Sequence, residues 1–572
     1  MEIRSLRALH GPNIWSARPV LEMNLVIFSP VFADLEAADR LFLAHNLDGT
    51  RDGLGEISRS DMRIVNWLGS AIVKLQTAGQ TPVAFHGCQS SAVTGAVRLA
   101  VEFQEEPLGR AAVDFAVRWL RSLPQMQPFD LAKEWEAFLD FAYDARIGNS
   151  TGPTVEAAIA RGIPALRLDT ESLVQLGHGW RQRRIRRAAT DGTGMIANDV
   201  STDKSLTKSL LQEIGIPLPR GRAVSDENDA VAAAVEAGWP VVVKPQDADY
   251  GNGVTMRIKT EGEVRRAWHF ARQHSEGVLV EHHVPGHLFR LLVVGKQLIA
   301  AVRREPWFVV GDGQHTLLEL IEHANHDPRR GAGYESPILK TSRETGAMPV
   351  LTPDGRTHDS VPVAGETVVL RHDVYLKCGG IHLDQADTVH PEFVRLALDA
   401  TRCIGLDIAG LDFIALDLTL PPDQQEMAVL EVNSEPSIAL HLEPLCIPPR
   451  PVGEAIVGLL FPPCENGRIP VIAVLGNADD FPMAQERALE LPAQHDWVGL
   501  ASRDGAWLNG RLLGESAQST ISHVRRLWRH PRTEAVVVFV TLDDVLREGL
   551  PFDRCDELVE CDLDTDSPSA NE

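Results

Sequence analysis

Two short stretches decide the fold: LDFIALDL at residues 411–418 and MAVLEVN at residues 427–433. Each is typical of a β-strand that carries carboxylates inside an apolar run, where a buried and unpaired charge would be costly. Strand side chains alternate, so Glu431 and Asn433 point to one face, and Asp417 on the neighbouring strand could join them. Three oxygen ligands on rigid strands suit Mg²⁺, which also takes phosphate oxygens and water. The two strands therefore predict a magnesium site formed by Asp417, Glu431 and Asn433.

A third strand, WPVVVKP at residues 239–245, ends in a lysine and precedes the glycine-containing stretch QDADYGNGV at residues 246–254. The strand can deliver the Lys244 amino group to a fixed place. Gly251 and Gly253 allow a close backbone approach, and their N–H groups can face phosphate oxygens. The pattern predicts a triphosphate cradle, although a surface strand with a hairpin turn would look similar.

A fourth strand, GVLVEHH at residues 277–283, carries a carboxylate near its end. Glu281 could accept hydrogen bonds from a ribose or an adenine amine. The alternative is a strand-end charge in solvent.

Composition narrows the class of protein. The chain has 572 residues, enough for three or four domains, and a net charge of −24. Nucleic acids and anionic membranes carry the same sign, so neither is expected as the main partner. Seven scattered cysteines without a CxxC pair argue against a disulfide framework or a zinc site. With no apolar leader and no run of 18 apolar residues, we expect a cytoplasmic protein.

The chain divides into four predicted segments. Residues 1–165 form an N-terminal α/β domain, and residues 166–448 carry the motifs described above. The proline-rich joint IPPRP at residues 447–451 precedes a third segment, 449–561, and the acidic end, 562–572, is expected to be disordered. In the first domain we expect no chemistry of its own, and surface helix positions for His86, Glu102, Glu105 and Glu106.

The order of lysine strand, glycine loop, Glu281 and carboxylate strands is typical of the ATP-grasp fold. A finer resemblance, spread over nearly the whole chain, is to the cyanophycin synthetase family. It rests on HGPNIWS (10–16), TGPTVEAAIARGIPALR (151–167), LVQLGHG (173–179), QRR (182–184), DKSLTK (203–208), GDG (311–313), DPRRG (327–331), GGIHLD (379–384) and TVHP (388–391).

The resemblance implies an α/β multidomain chain: an N-terminal α/β domain, an ATP-grasp domain and a truncated remnant of a Mur-ligase-like α/β module. It implies ATP as the nucleotide, with two Mg²⁺ ions, and a homo-oligomer, either a dimer or a tetramer. Lys204 and Lys244 would hold phosphates. Arg290 and Arg304 occupy positions like those of family arginines near the phosphates or the substrate carboxylate, and a guanidinium suits either anion.

Two departures from the family pattern stand out. The family's second ATPase module, which adds arginine to an aspartate side chain, has a P-loop ending in Gly-Lys-Thr. After Gly476 this chain has NADDFP at residues 477–482, so lysine and hydroxyl are missing and two aspartates would repel phosphate. The family also has an arginine two residues before the position of His441, where this chain has Ala439.

The leading hypothesis is therefore an ATP-dependent ligase that forms amide bonds through an acylphosphate at one working site. A shorter class of the family joins β-aspartyl-arginine dipeptides, or extends a cyanophycin chain with them, and this chain resembles that class. Ala439 keeps open a ligase for a different amino acid or peptide. A non-catalytic partner of a full-length synthetase is a third hypothesis, which the intact Lys244 and Glu431 argue against.

Overall fold

A computed structural model describes residues 1–26, 60–90, 96–125, 129–246, 252–327, 330–331, 338–339, 356–370, 380–442, 448–491, 495–514 and 519–561. Within these ranges the chain folds into three α/β regions in sequence order. No helix in the described part of the chain has both the length and the apolar character needed to span a membrane. The segment 562–572 lies outside the described residues.

The N-terminal region is an antiparallel sheet of order β1-β2-β4-β3 covered by helices. Apolar residues of β2 and β4 meet in register, as in the Met23–Leu99 pair, and pack against Leu68 and Phe115 of the helices. The elements are β1 (Glu2–Leu9), β2 (Val20–Val26), α1 (Ser60–Ala78), β3 (His86–Ser90), β4 (Ala96–Glu102), α2 (Glu106–Gln125) and α3 (Leu131–Ala145).

Three polar residues of this region differ from expectation. Glu105 precedes α2 and pairs with Arg167 at 3.0 Å. His86 lies on β3, and Glu102 ends β4, where its side chain is buried. The Glu102 carboxylate accepts the backbone N–H groups of Ala84 and Phe85 at 3.0 and 2.9 Å and pairs with Arg18. The expectation of surface helix positions for His86, Glu102 and Glu105 is therefore wrong. For Glu102 the reason is that backbone donors, which sequence patterns do not reveal, can satisfy a buried carboxylate.

The central region contains the two sheets that position the predicted site residues. Its elements are α4 (Gly152–Ala160), β5 (Ala165–Arg167), β6 (Val174–Leu176), β7 (Arg183–Arg186), β8 (Ala189–Thr190), α5 (Met195–Thr202), α6 (Lys204–Glu213), β9 (Gly221–Val224), α7 (Glu227–Ala237), β10 (Val241–Pro245), β11 (Thr255–Ile258), α8 (Glu261–Arg272), β12 (Val278–His282), β13 (His287–Val294), β14 (Gln297–Glu305), β15 (Phe308–Val310), α9 (Leu317–Ala324), β16 (Arg330–Gly331), β17 (Ile338–Leu339), β18 (Thr367–Val369), β19 (Ile381–Asp384), α10 (Pro391–Ile404), β20 (Ile408–Ala415) and β21 (Ala428–Asn433).

The first of these two sheets, which we call the lid sheet, has the order β11-β10-β12-β9, and α7 and α8 cover one face. The second, which we call the base sheet, has the order β19-β14-β13-β20-β21 and is antiparallel throughout. Helix α10 buries Phe393 against Phe413 of the base sheet, and Leu211 of α6 joins the same core. The lid and the base thus have separate cores, with α6 belonging to the base.

The C-terminal region is a six-stranded sheet of order β25-β24-β23-β26-β22-β27, parallel at its centre. Strand β26 is buried along its whole length, as expected for a strand with both faces covered. The elements are α11 (Val452–Leu460), β22 (Val471–Leu475), α12 (Phe481–Glu490), β23 (Val498–Ser502), β24 (Gly505–Leu508), β25 (Arg511–Leu512), α13 (Thr520–Arg529), β26 (Ala535–Val540), α14 (Leu542–Glu548) and β27 (Glu557–Glu560).

The helices α4 and α11 pack together although they are far apart in sequence. Val155 of α4 and Ile456 of α11 share a core with Val294 of β13, so both helices pack with the central region. Arg161 Nη1 donates to the carbonyl of Phe461 at 2.9 Å, 300 residues later. Packing therefore favours boundaries of the central region near residue 150 and after Leu460, instead of the expected residues 165 and 448.

The C-terminal region is docked on the central region by backbone hydrogen bonds. The His178 N–H donates to the Gly467 carbonyl at 2.8 Å, and the Trp180 N–H donates to the Thr533 carbonyl at 3.0 Å. The His178 ring stacks on the Trp528 ring with centroids 4.1 Å apart. Burial, and next the nearby Arg468, lower the pKa of His178 to about 3. The interface is therefore built around a histidine that stays neutral.

Acid should weaken this interface. Because the pKa of His178 is about 3 in the folded chain and about 6.5 when unfolded, only the unfolded chain binds its proton between these values. The stability from this residue is full above pH 6.5 and is lost as pH falls. Between pH 8 and pH 5, wild type should lose about 2 kcal/mol more than the stacking-competent variant His178→Phe. Urea unfolding at both pH values measures this, and equal losses in the two proteins would contradict it.

Candidate active site

One face of the base sheet carries charged residues from adjacent strands. In the antiparallel register, Arg290 of β13 lies opposite Asp412 of β20, and Asp412 lies opposite Glu431 of β21. The alternate residues, such as Phe289 and Phe413, pack on the other face against α10. Strand alternation therefore separates an apolar core face from a polar face that gathers the functional groups.

The two predicted catalytic arginines meet at one carboxylate. Arg290 binds Asp412 with two hydrogen bonds, Nε–Oδ1 at 2.5 Å and Nη2–Oδ2 at 3.0 Å. Arg304 Nη1 lies 3.8 Å from Asp412 Oδ2. All three side chains are almost fully withdrawn from solvent. A bidentate guanidinium–carboxylate pair fixes the orientation of both partners.

The place of Asp417 differs from expectation. It lies two residues beyond the end of β20, and its Oδ1 accepts the Thr419 N–H at 2.8 Å. It also has the strand parity of Ala415, a residue of the apolar core face, and not that of Asp412. The register therefore does not bring Asp417 to Glu431 and Asn433, and Asp412 takes that position. Asp412 and Asp417 have opposite strand parity, but the sequence alone does not give the register that sets Asp412 opposite Glu431.

Asp412, Glu431 and Asn433 fit a magnesium ion together with its phosphate ligands. The Asn433 Nδ2 donates to the Gly410 carbonyl at 3.2 Å, so the amide oxygen is the atom that can serve as a ligand. In the described ranges, no three Asp, Glu, His or Cys side chains form a complete cage for a metal. Two carboxylates and one amide are the partial shell expected where phosphate oxygens supply the remainder.

The lid sheet presents a lysine and a glutamate to this site. Val241 and Val243 point into the lid core, so the alternate residue Lys244 points out of it. Glu281 of β12 lies opposite Val242 of β10, and its Oε2 lies 2.7 Å from the Lys244 Nζ. The expected contact of Glu281 with ribose or adenine stays a prediction.

Helix α6 adds two further amino groups. The Asp203 carboxylate caps the helix by accepting the N–H groups of Ser205 and Leu206, each at 3.0 Å. Lys204 and Lys208, four residues apart on one helix face, line a cavity together with Glu431, Thr207 and Val432. The Lys208 Nζ forms an ion pair with Glu281 Oε1. The sequence analysis did not select Lys208, although the i,i+4 spacing in DKSLTK was visible.

The cavity holds more amino groups than carboxylates. Burial, and next the amino groups of Lys244 and Lys204, lower the pKa of Lys208 to about 6. Burial and then Lys204 lower the pKa of Lys244 to about 8. An anion bound beside the three lysines would raise these pKa values, because a nearby opposite charge favours the protonated form of an amine. A triphosphate is such an anion.

The glycine stretch is described only in part. Gly253 has φ of +74°, and a Cβ there would lie 2.7 Å from the Pro245 ring and 2.7 Å from the His274 ring. Glycine is therefore required at 253 by both conformation and space. Gly251, the second predicted cradle residue, lies outside the described residues.

The turn after β22, where a P-loop was considered, is filled by a carboxylate. Asp480 Oδ2 accepts the Asn477 N–H at 2.7 Å. A Cβ on Gly476 would lie 2.8 Å from the same Asp480 oxygen. Pro482 lies in the first turn of α12, where it supplies no N–H. This turn therefore presents negative charge where a phosphate cradle would present N–H groups.

Comparison with known proteins identifies relatives of this chain and of its central region. The family model for the ATP-grasp domain matches residues 197–310. The cyanophycin synthetase of Trichormus variabilis is 31% identical over 97% of this chain and 63% of its own length. The glutathione biosynthesis bifunctional protein GshAB of Clostridium perfringens is 28% identical over 54% of this chain and 41% of its own length.

A solved structure is also similar. The bifunctional glutathione synthetase from Pasteurella multocida is 27% identical, with a TM-score of 0.46 over 61% of this chain and 49% of that chain. The chain spans slightly less than two thirds of the length of the curated cyanophycin synthetases that it matches. The chain therefore contains an ATP-grasp domain and is, over nearly its whole length, a homologue of the cyanophycin synthetases.

Proposed function

We propose that this chain is an ATP-dependent carboxylate–amine ligase that forms an amide bond through an acylphosphate and releases ADP and phosphate. The observation that carries the proposal is the convergence of Lys204, Lys208 and Lys244 with Glu431 next to the Arg290–Asp412 pair. This arrangement supports a triphosphate held against the cations and metal ions held by the carboxylates. The homologues of this chain include the cyanophycin synthetases and the bifunctional glutathione proteins.

The residues divide the work of phosphoryl transfer. Lys204 and Lys244 hold the phosphates, and Asp412, Glu431 and Asn433 hold Mg²⁺, two ions in our proposal. Bound Mg²⁺ offsets negative charge on the phosphates during transfer to the substrate carboxylate. Arg290 orients Asp412 through two hydrogen bonds, and we assign contact with an anionic substrate to Arg304, 3.8 Å from that carboxylate. The acylphosphate is then attacked by the amine of the second substrate, and phosphate leaves.

We propose one working ATP site in this chain. The C-terminal sheet is parallel around β22, but the turn after β22 holds the Asp480 carboxylate on the Asn477 N–H. A bound phosphate would meet this carboxylate instead of a lysine, and the two charges would repel. The role left to the C-terminal region is to cover the central region through the His178 and Trp180 contacts.

The substrate we favour is a β-aspartyl-arginine dipeptide or a cyanophycin chain, since the curated relatives over this length are cyanophycin synthetases. A net charge of −24 is compatible with a product that carries guanidinium groups. We further propose a cytoplasmic homo-oligomer that binds neither nucleic acid nor membrane.

A different amino acid or peptide is the second candidate, and Ala439 favours it. One cation close to this segment is Arg450, whose backbone N–H donates to the His441 carbonyl at 2.9 Å. Its guanidinium is held by Asp384 and Asp387. The charge beside Ala439 therefore differs from that of the family, and this difference favours a different substrate.

The metal assignment predicts opposite outcomes for two neighbouring aspartates. Asp412→Asn should lower Mg²⁺-dependent ATP turnover at least about 100-fold and raise the Mg²⁺ concentration needed for half-maximal rate, because a ligand is lost. Glu431→Gln should do the same. The matched control Asp417→Asn should stay within about threefold of wild type in the same phosphate-release assay. Loss of activity in Asp417→Asn with normal turnover in Asp412→Asn would restore the original assignment.

The one-site proposal predicts that Lys244→Ala abolishes all ATP turnover, because the phosphate cradle loses its lid lysine. Purified protein with ATP, Mg²⁺ and a panel of amino acids and short peptides, β-aspartyl-arginine among them, should release phosphate and give a product heavier by one amide-linked unit. Phosphate release and product mass are measured together. Turnover that persists in Lys244→Ala would show a second site. If wild type shows no substrate-dependent turnover, the remaining hypothesis is a non-catalytic partner of a full-length synthetase.

A further inference from the structure

Glu281 joins the lid to the base of the site. The lid sheet with its helices and the base sheet with its helices form two lobes with separate cores, one around Val243 and one around Phe413. Lys244 belongs to the lid, and Lys208 on α6 belongs to the base, yet both amino groups bind the two oxygens of the same Glu281 carboxylate. Glu281 is buried, so this carboxylate needs a cationic partner.

Lys208 changes what Lys244 can do. If Lys244 were the only partner of Glu281, the pair would be neutral and its hydrogen-bond donors would be drawn to the carboxylate. With Lys208 on Oε1, one oxygen of Glu281 is occupied from the base, and more of the Lys244 hydrogen-bond donors remain for another anion. A second contact between the lobes, Gln246 Nε2 to Ser205 Oγ at 2.9 Å, lies at the same end of α6 and supports the alignment.

We propose that Lys208 is a positioning residue of the nucleotide site, which binds Glu281 from the base lobe and thereby leaves Lys244 to the triphosphate. This inference rests on the proposed function and adds a residue to it. The geometry supports it, because the amino groups of Lys208 and Lys244 reach different oxygens of one buried carboxylate from opposite lobes. The groups that face Lys208 are Lys204, Lys244, Glu281 and Glu431.

Binding of Mg²⁺ and a non-hydrolysable ATP analogue, measured by titration calorimetry on the full chain, tests this role. Lys208→Met should weaken binding at least tenfold, because the unneutralised Glu281 carboxylate then competes for Lys244. Adding Glu281→Gln to Lys208→Met removes that competition. The double variant should bind the analogue at least threefold more tightly than Lys208→Met alone. Lys208→Arg, which retains the charge, should bind within about threefold of wild type.

The controls separate this inference from the proposed function. Lys296→Met removes an exposed lysine from the turn between β13 and β14 and should leave affinity unchanged. Lys208→Met with affinity within twofold of wild type would overturn the role of Lys208 alone. A double variant weaker than both single variants would show that Lys208 binds phosphate directly and would also overturn it. Failure of wild type to bind the analogue would overturn the proposed function, and this inference with it.

Discussion

The site depends on keeping buried carboxylates neutralised by cations that come from different elements. Asp412 is held by Arg290 from the adjacent strand, and Glu281 is held by lysines from two lobes. An isolated charge in such surroundings would cost several kcal/mol. Each carboxylate therefore fixes the relative position of the elements that supply its partners, and the geometry of the site follows from charge satisfaction as much as from apolar packing.

The two sheets contribute different parts of the site. The base sheet is an antiparallel array in which alternation puts Phe289 and Phe413 against α10 and turns Asp412 and Glu431 to the opposite face. The lid sheet is small, with its own alanine-rich core under α7 and α8. The contacts that join this small lobe to the base include Lys208 with Glu281 and Gln246 with Ser205.

Much of this architecture could be predicted from the sequence. The apolar runs that end in Lys244, Glu281 and Asn433 predicted strands, and the structure places each on a strand. The order of motifs predicted the ATP-grasp fold, which the domain match confirms. Asp417 illustrates the limit: which carboxylate faces Glu431 depends on a register with a bulge between Asp412 and Phe413, and a one-residue slip exchanges the faces of a strand. Lys208 was missed because its partner, Glu281, comes from a strand more than seventy residues away in the chain.

The pairing of α4 with α11 has a consequence for how the chain is made. Val155 and Ile456 share one core with Val294 of the base sheet, so the central region encloses its own apolar surface only when residue 460 is available. A ribosome that has produced the complete lid and most of the base would still expose the Val155 face of α4 to solvent. Loop-closure entropy makes such long-range contacts slow to form, and exposed apolar surface invites aggregation meanwhile. Synthesis of this chain should therefore depend on chaperones that shield α4 until its partner helix leaves the exit tunnel, and a premature stop before residue 452 should yield insoluble protein.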